Sequence, residues 1–250
     1  MYGILSRRNA ANVLGIVALA VAVAGCDTNA ASRSVTRGSG AESTPQDGYR
    51  GERPVLRSQV DAMRSRIWVL TLHGVALYEA STGEEVAQIS LPGWLWAGEQ
   101  YACPPDLAIG PRGEAVISSN VVPALWRIDP VTLAASKHDL AIEDDAGRDI
   151  GITALVYSAQ QGAYFAVSPS HGLLWRIDPL LRRAQSIPLS APLPKACGLA
   201  IPSRKPDQRV SQVVGFCIRS EQGDRTISLA PDQRSGYVSK GSCLSASLTP

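Results

Sequence analysis

The sequence predicts an all-β, propeller-like array of about four four-stranded blades, and three observations carry that expectation. The string Leu-Trp-Arg-Ile-Asp-Pro at residues 125–130 recurs unchanged at 174–179, 49 residues later, and a weaker copy, Leu-Tyr-Glu-Ala-Ser, stands at 77–81. A self-similar period of about 40 to 50 residues is the length of one propeller blade. Charged residues are sparse at 18% and aromatics few at 6%, while glycine and proline are plentiful, which suits a loop-rich β protein better than a helical one. Each unit also repeats the same apolar runs around the shared string. A sandwich or barrel of about eight to ten strands is the competing expectation, because short strands with turn signals fit it as well.

Three first strands are short apolar runs suited to burial on both faces: Asp106-Leu-Ala-Ile-Gly-Pro111, Thr153-Ala-Leu-Val-Tyr157 and Gly198-Leu-Ala-Ile-Pro202. The second strands read Arg66-Ile-Trp-Val-Leu-Thr-Leu72, Glu114-Ala-Val-Ile-Ser118, Ala163-Tyr-Phe-Ala-Val167 and Gln212-Val-Val-Gly-Phe-Cys-Ile218. The repeated string supplies the third strand, where period-two alternation sets Trp126 and Ile128 opposite Leu125, Arg127 and Asp129. Both faces can then be buried by packing blade on blade. After the third strand, residues 81–84 and 129–132 read as tight turns, with Gly83 free to take positive φ and Pro130 preset for a turn.

On these motifs the chain, over about residues 55 to 245, resembles the broad β-propeller superfamily of NHL, YVTN and quinoprotein-type repeats, whose units often carry an aromatic-x-Ile-Asp-x-x-Thr-Gly segment. The resemblance implies architecture and no particular activity. Those families usually have six to eight blades and this chain shows four units. The expectation is therefore a small ring, or an open array that closes by dimerisation.

The N-terminus carries a second resemblance. Arg7 and Arg8 precede a 13-residue apolar run, 13–25, that ends at Cys26 in Val-Ala-Gly-Cys, and this is similar to a bacterial lipoprotein signal. The run is too short to span a bilayer core of about 30 Å. The resemblance implies cleavage before Cys26, lipidation of its thiol with palmitate-type acyl chains, and stable anchoring by two or three of them. Asp27 next to the lipidated cysteine resembles an inner-membrane retention signal. The expected location is thus the cell envelope, facing the periplasm or exterior. Residues 26–51 are rich in Ser, Thr, Gly and Ala and too poor in large apolar residues to offset ordering entropy, so they read as a flexible leash to a domain at 52–250. Removing residues 1–25 removes two arginines and no acid, which brings the formal charge from +2 to zero. That balance excludes a nucleic-acid partner.

Four cysteines remain beyond Cys26, and in an oxidising compartment an even number predicts two disulfides. Their spacings of 94, 20 and 26 residues lack the close pairs of a zinc site. If Pro202 opposes Gln212 across the turn of the fourth unit, the register sets Cys197 opposite Cys217, within disulfide range. Cys103 with Cys243 is then the second expected pair, closing the array.

No Gly-x-Ser-x-Gly, His-Glu-x-x-His, phosphate loop or dinucleotide fingerprint occurs, and no cofactor or metal is expected. His73-Gly74 and His171-Gly172 lie two periods apart and read as turn residues, with a paired ligand as the alternative; His138 falls in a polar fourth strand. The acidic stretch Glu143-Asp-Asp145 with Asp149 lacks calcium-loop spacing and reads as a solvated connector. Arg127 and Arg176 share a strand face with Asp129 and Asp178, so rim ion pairs are expected. Residues 91–101 least resemble their counterparts: Trp94, Trp96 and Tyr101 crowd a loop, and aromatic anchors on loops are common binding hot spots. Their competing role is to plug the array centre or cap the core. The leading reading is a non-enzymatic, membrane-anchored scaffold or binding module for an envelope protein partner. The alternative is a small-molecule binder or lyase- or dehydrogenase-like propeller enzyme working through the central funnel, for which no convergent acid-base set is visible.

Overall fold

The computed structural model describes residues 54–98, 103–142, 151–168, 172–193, 196–201, 215–220, 223–241 and 243, and their regular elements are all β-strands. Blade 1 is β1 (Val55–Asp61), β2 (Arg66–Thr71), β3 (Gly74–Glu79) and β4 (Glu85–Ile89); blade 2 is β5 (Leu107–Ile109), β6 (Ala115–Ser118), β7 (Ala124–Ile128) and β8 (Ala135–Asp139). A short β9 (Ala141–Ile142) leads to blade 3, which is β10 (Ala154–Ser158), β11 (Ala163–Ser168), β12 (Leu173–Ile177) and β13 (Arg183–Ile187). Blade 4 is β14 (Ala196–Ala200), β15 (Gly215–Ser220), β16 (Arg225–Leu229) and β17 (Gly236–Lys240). Each blade is an antiparallel meander in chain order, and β9 adds a parallel strap to the outer edge of blade 3 at β13. The four-bladed expectation holds, and neither a sandwich nor a barrel forms. The inner strands β1, β5, β10 and β14 lie side by side in that order.

Period-two alternation explains why blades can stack. Trp126 and Ile128 of β7 pack toward blade 1 with Trp68, Leu70 and Leu77, whereas Leu125 on the other face joins Tyr164, Ala166 and Trp175 of blade 3. One repeat later Trp175 faces blade 2, and Leu174 faces blade 4 with Phe165 and Phe216, whose rings are 4.6 Å apart. Trp68, Trp126 and Trp175 are at most 1% exposed. Burying a large apolar side chain of this kind stabilises by roughly 1.5 to 3 kcal/mol. Clusters join blades 1 and 2, 2 and 3, and 3 and 4.

The turns after the third strands follow one plan: the N–H of Glu79, Asp129, Asp178 and Ala230 bonds to the carbonyl five residues on. Gly83 takes φ +72° as expected, but in the next three turns Leu133, Leu181 and Gln233 adopt the left-handed region at φ 58–59°. Leu181 is fully buried in the blade 2–3 cluster, and that burial offsets a conformational cost of about 1–2 kcal/mol.

The expected rim ion pairs do not form. Asp129 accepts from the N–H of Val131 (2.9 Å) and Thr132 (2.8 Å), and Asp178 from Leu180, Arg182 and Arg183, so both carboxylates cap their own turns. These N–H bonds hold the Asp129 carboxyl below its ordinary pKa. Arg127 reaches instead to the next blade and donates to the Pro179 carbonyl.

The disulfide pairing also differs from expectation. Cys103 bonds Cys197, with Cα atoms 5.0 Å apart, and Cys217 bonds Cys243, at 5.7 Å. The cause is register: Ala200, not Cys197, opposes Cys217, and the strand is irregular between Ala196 and Leu199. A shift of three residues separates the thiols that the assumed hairpin had aligned. Cys197 is then free to meet Cys103 just ahead of β5, and Cys217 to meet the segment after β17.

Candidate functional site

Residues 91–98 leave blade 1 and cross to blade 2 as an irregular segment fastened along its length. Gly93 at φ +61° lets the chain turn back, with the Trp94 N–H bonded to Leu91 O at 3.2 Å. The indole N–H of Trp126 donates to Pro92 O (2.8 Å), and that of Trp94 to Ser118 O (3.2 Å). Ser119 Oγ donates to Leu95 O (2.6 Å), while Asn120 accepts from Ala97 N (2.9 Å) and donates to Ala97 O (2.8 Å) and Cys103 O (3.1 Å). Asn120 thus pairs with both the N–H and the C=O of one residue, as a neighbouring strand would. Ile152 N bonds Ser119 O at 2.7 Å, and a side chain at Gly151 would strike the Asn120 carbonyl, so blade 3 begins pressed against the same loop.

The two expected roles of the aromatic loop divide between residues. Trp94 packs on the blade 1–2 cluster and caps it. Trp96 stacks on Trp94 with ring centroids 6.3 Å apart and 27° between planes, and remains half-buried, while the neighbouring Leu95 is 57% exposed. The result is a held platform of one aromatic ring and one aliphatic side chain. Tyr101 lies outside the described residues, as do Cys26, Asp27, His171 and the acidic stretch 143–149. His73 is exposed in the β2–β3 turn, its N–H bonded to Thr71 Oγ1 (3.2 Å), beside a hollow of about 280 Å³ on blade 1.

The residue that sequence reasoning missed is Asp106, which ties three blades together. Its carboxylate lies 2.9 Å from Arg57 Nε of blade 1 and accepts from the N–H of Leu107 and of Leu155, each at 2.8 Å, the latter in blade 3. Burial pushes its pKa up against the opposing pull of Arg57 and the two backbone N–H groups. The signal was present as an acidic residue opening an otherwise apolar inner strand, where Thr153 opens the next. Ser118 completes the arrangement, its Oγ accepting from the Asp106 N–H at 2.8 Å. Ser118, whose carbonyl accepts from the Trp94 indole, thus links the Asp106 cluster to the aromatic loop. Chemically the platform offers apolar and π surface, and among the described residues no group of three or more His, Cys, Asp or Glu could hold a metal.

Neither a protein-family model nor a curated protein sequence matches the chain. Solved structures do match in fold. Selenomethionine-substituted virginiamycin B lyase from Staphylococcus aureus aligns at 10% identity with a TM-score of 0.51, over 70% of this chain and 52% of that one. Kuenenia stuttgartiensis hydrazine synthase aligns at 10% and 0.52, over 79% and 52%. The RRP9 WD40 repeats align at 12% and 0.50, over 77% and 53%. The chain spans about half the length of these structures, and at such identities the likeness extends to fold alone. The described blades of this chain have the β-propeller fold that these structures share.

Proposed function

We propose that this chain is a lipid-anchored envelope module that recruits a protein partner through the Leu95–Trp96 platform. The observation that carries the reading is preorganisation: an exposed leucine and a stacked tryptophan are presented on a segment fixed by side-chain hydrogen bonds from Ser119, Asn120 and Trp126. A rigid aromatic anchor loses little entropy on binding, which is why such residues dominate interface energetics. The lipobox-like run ending at Cys26 and the leash 26–51 support delivery of the blades to a membrane surface outside the cytoplasm. Likeness in fold to a lyase is all that stands behind an enzymatic reading.

A photo-crosslinking amino acid at position 95 tests the proposal in living cells. It should give one discrete protein adduct, with none from position 131, which is also exposed but lies in the β7–β8 turn. Trp96→Ala should weaken the recovered pair by about 2 kcal/mol, roughly thirtyfold. Cys26→Ser should release the chain from the membrane or arrest its precursor. Equal, indiscriminate adducts from both positions would overturn the binding platform, and membrane association unchanged by Cys26→Ser without acyl incorporation would overturn the anchor.

A further inference from the structure

Two blade junctions are stapled by arginines from different strands, and at the third junction the repeat counterpart of one of them is unstapled. Arg66 of β2 donates through Nη1 to Pro130 O in the following blade (2.8 Å), and Arg127 of β7 donates through Nη2 to Pro179 O in the blade after that. Arg176 holds the repeat position of Arg127, on the face of β12 that Leu174 turns toward blade 4. The turn containing Pro231 lies in blade 4 where the Pro179 turn lies in blade 3. Yet among the described residues Arg176 donates to no carbonyl, and its Nε is buried without a partner. Arg127 shares the unpaired Nε, but its Nη2 is anchored.

Where the third staple would lie there is instead a cleft of about 660 Å³ lined by Arg176, Gln185, Ser186, Ile187, Asp232 and Arg234, among others. That volume falls within the range of small-molecule sites. The lining carries two guanidinium groups against one carboxylate, and Asp232 already accepts from the Arg234 N–H at 3.0 Å. We propose that this blade 3–4 cleft binds a carboxylate group, supplied by a small organic acid or by the C-terminus of a peptide. The two Nη groups of a guanidinium present paired N–H groups that fit the two oxygens of a carboxylate, and a bound carboxylate supplies the acceptor that a proline carbonyl supplies to Nη at the other junctions. Gln185, opposite Arg176 on the same face of the sheet, adds a side-chain donor along the wall. The site is independent of the Trp96 platform.

NMR of the full chain, observing the Arg176 Nε–H resonance, tests this with citrate, with trialanine bearing a free carboxylate, and with trialanine amide as probes. Citrate or the free acid should give a saturable shift, and the amide none; which acid binds more tightly identifies the source of the carboxylate. Arg176→Gln should weaken binding about tenfold or more, and Arg176→Lys, which keeps charge and fold but loses the fork, should weaken it by a similar factor. Asp232→Asn should tighten it about threefold by removing the local negative charge. Arg127→Gln should leave it unchanged. The proposal is overturned by equal response to acid and amide, by an affinity that Arg176→Lys leaves intact, or by no saturable shift with any probe up to about 20 mM.

Discussion

The two identical copies of Leu-Trp-Arg-Ile-Asp-Pro meet different neighbours, and the difference shows how much a repeat leaves to context. In the first copy the indole N–H of Trp126 reaches Pro92 O and Arg127 reaches Pro179 O. In the second, Trp175 Nε1 is buried without a partner and Arg176 borders a cleft. Backbone, register and burial are nearly the same in both: each tryptophan faces the preceding blade, each leucine the following one, and each aspartate caps its turn. What the string specifies is the strand and its two faces. What lies beyond the faces comes from the partner blade.

The largest test of this comparison uses the disulfide that encloses both copies. Cys103–Cys197 closes a loop of 94 residues, and Cys217–Cys243 one of 26 within the last blade. In the chain-entropy model these contribute upper values of about 4.7 and about 3.5 kcal/mol. Replacing both Cys103 and Cys197 by Ser should therefore lower the midpoint of chemical denaturation more than replacing Cys217 and Cys243. The reverse order would place the weak point of the described blades in blade 4. Peptide mapping without reduction should recover Cys103 linked to Cys197.

Next in size is the tryptophan pair. Trp126→Phe and Trp175→Phe leave similar cavities, but the first also removes a bond to Pro92 O while the second removes a buried N–H that has no partner. Trp126→Phe should cost about 1 kcal/mol more than Trp175→Phe in urea unfolding. Equal losses would mean that the Pro92 bond contributes nothing net.

How far the chain itself announced these features follows the same division. Strand positions, turn positions and the two-faced packing of Leu125 and Trp126 were legible because they depend on local periodicity and on the repeat. The disulfides were not, because pairing Cys197 with Cys217 assumed a hairpin register, whereas the strands set Ala200 opposite Cys217 and are irregular between Ala196 and Leu199. The arginines were misassigned for a related reason: sharing a strand face with Asp129 says nothing about a proline in the next blade. Trp94 and Trp96 were found by composition, but only contacts separate the one that caps the core from the one that is presented. Asp106 went unmarked although an acid at the head of a buried strand is unusual.

The arginine comparison carries a smaller stability effect. Arg127→Gln removes a part-exposed bond between blades and should cost about 0.5–1 kcal/mol, whereas Arg176→Gln should be close to neutral without ligand. Thermal unfolding of the two variants side by side measures this. A loss at Arg176 equal to that at Arg127 would show a third staple after all, and would remove the reason for an open cleft.

The smallest expected effect is a pH dependence confined to the blade of the first copy. His138 stands opposite Leu125 in β8, where the second copy has Ile187 opposite Leu174, so only the first carries a titratable group there. Its ring bonds Ser136 Oγ at 3.0 Å. Burial lowers its pKa, and the positive charges of Arg127 and Arg182 lower it further against Asp139 and Asp178. A histidine whose pKa is depressed in the folded state binds fewer protons there than when unfolded. Its neutral form is matched above the ordinary value of 6.5, and stability is lost as pH falls below that value toward the depressed one. Unfolding midpoints measured from pH 8 to 5 should fall less steeply in His138→Gln than in the parent chain. An Arg127→Gln background should shrink the difference, because one of the two repelling guanidinium groups is gone. An unchanged slope in His138→Gln would mean that the pH response of the blades lies elsewhere, in the carboxylates that cap their turns.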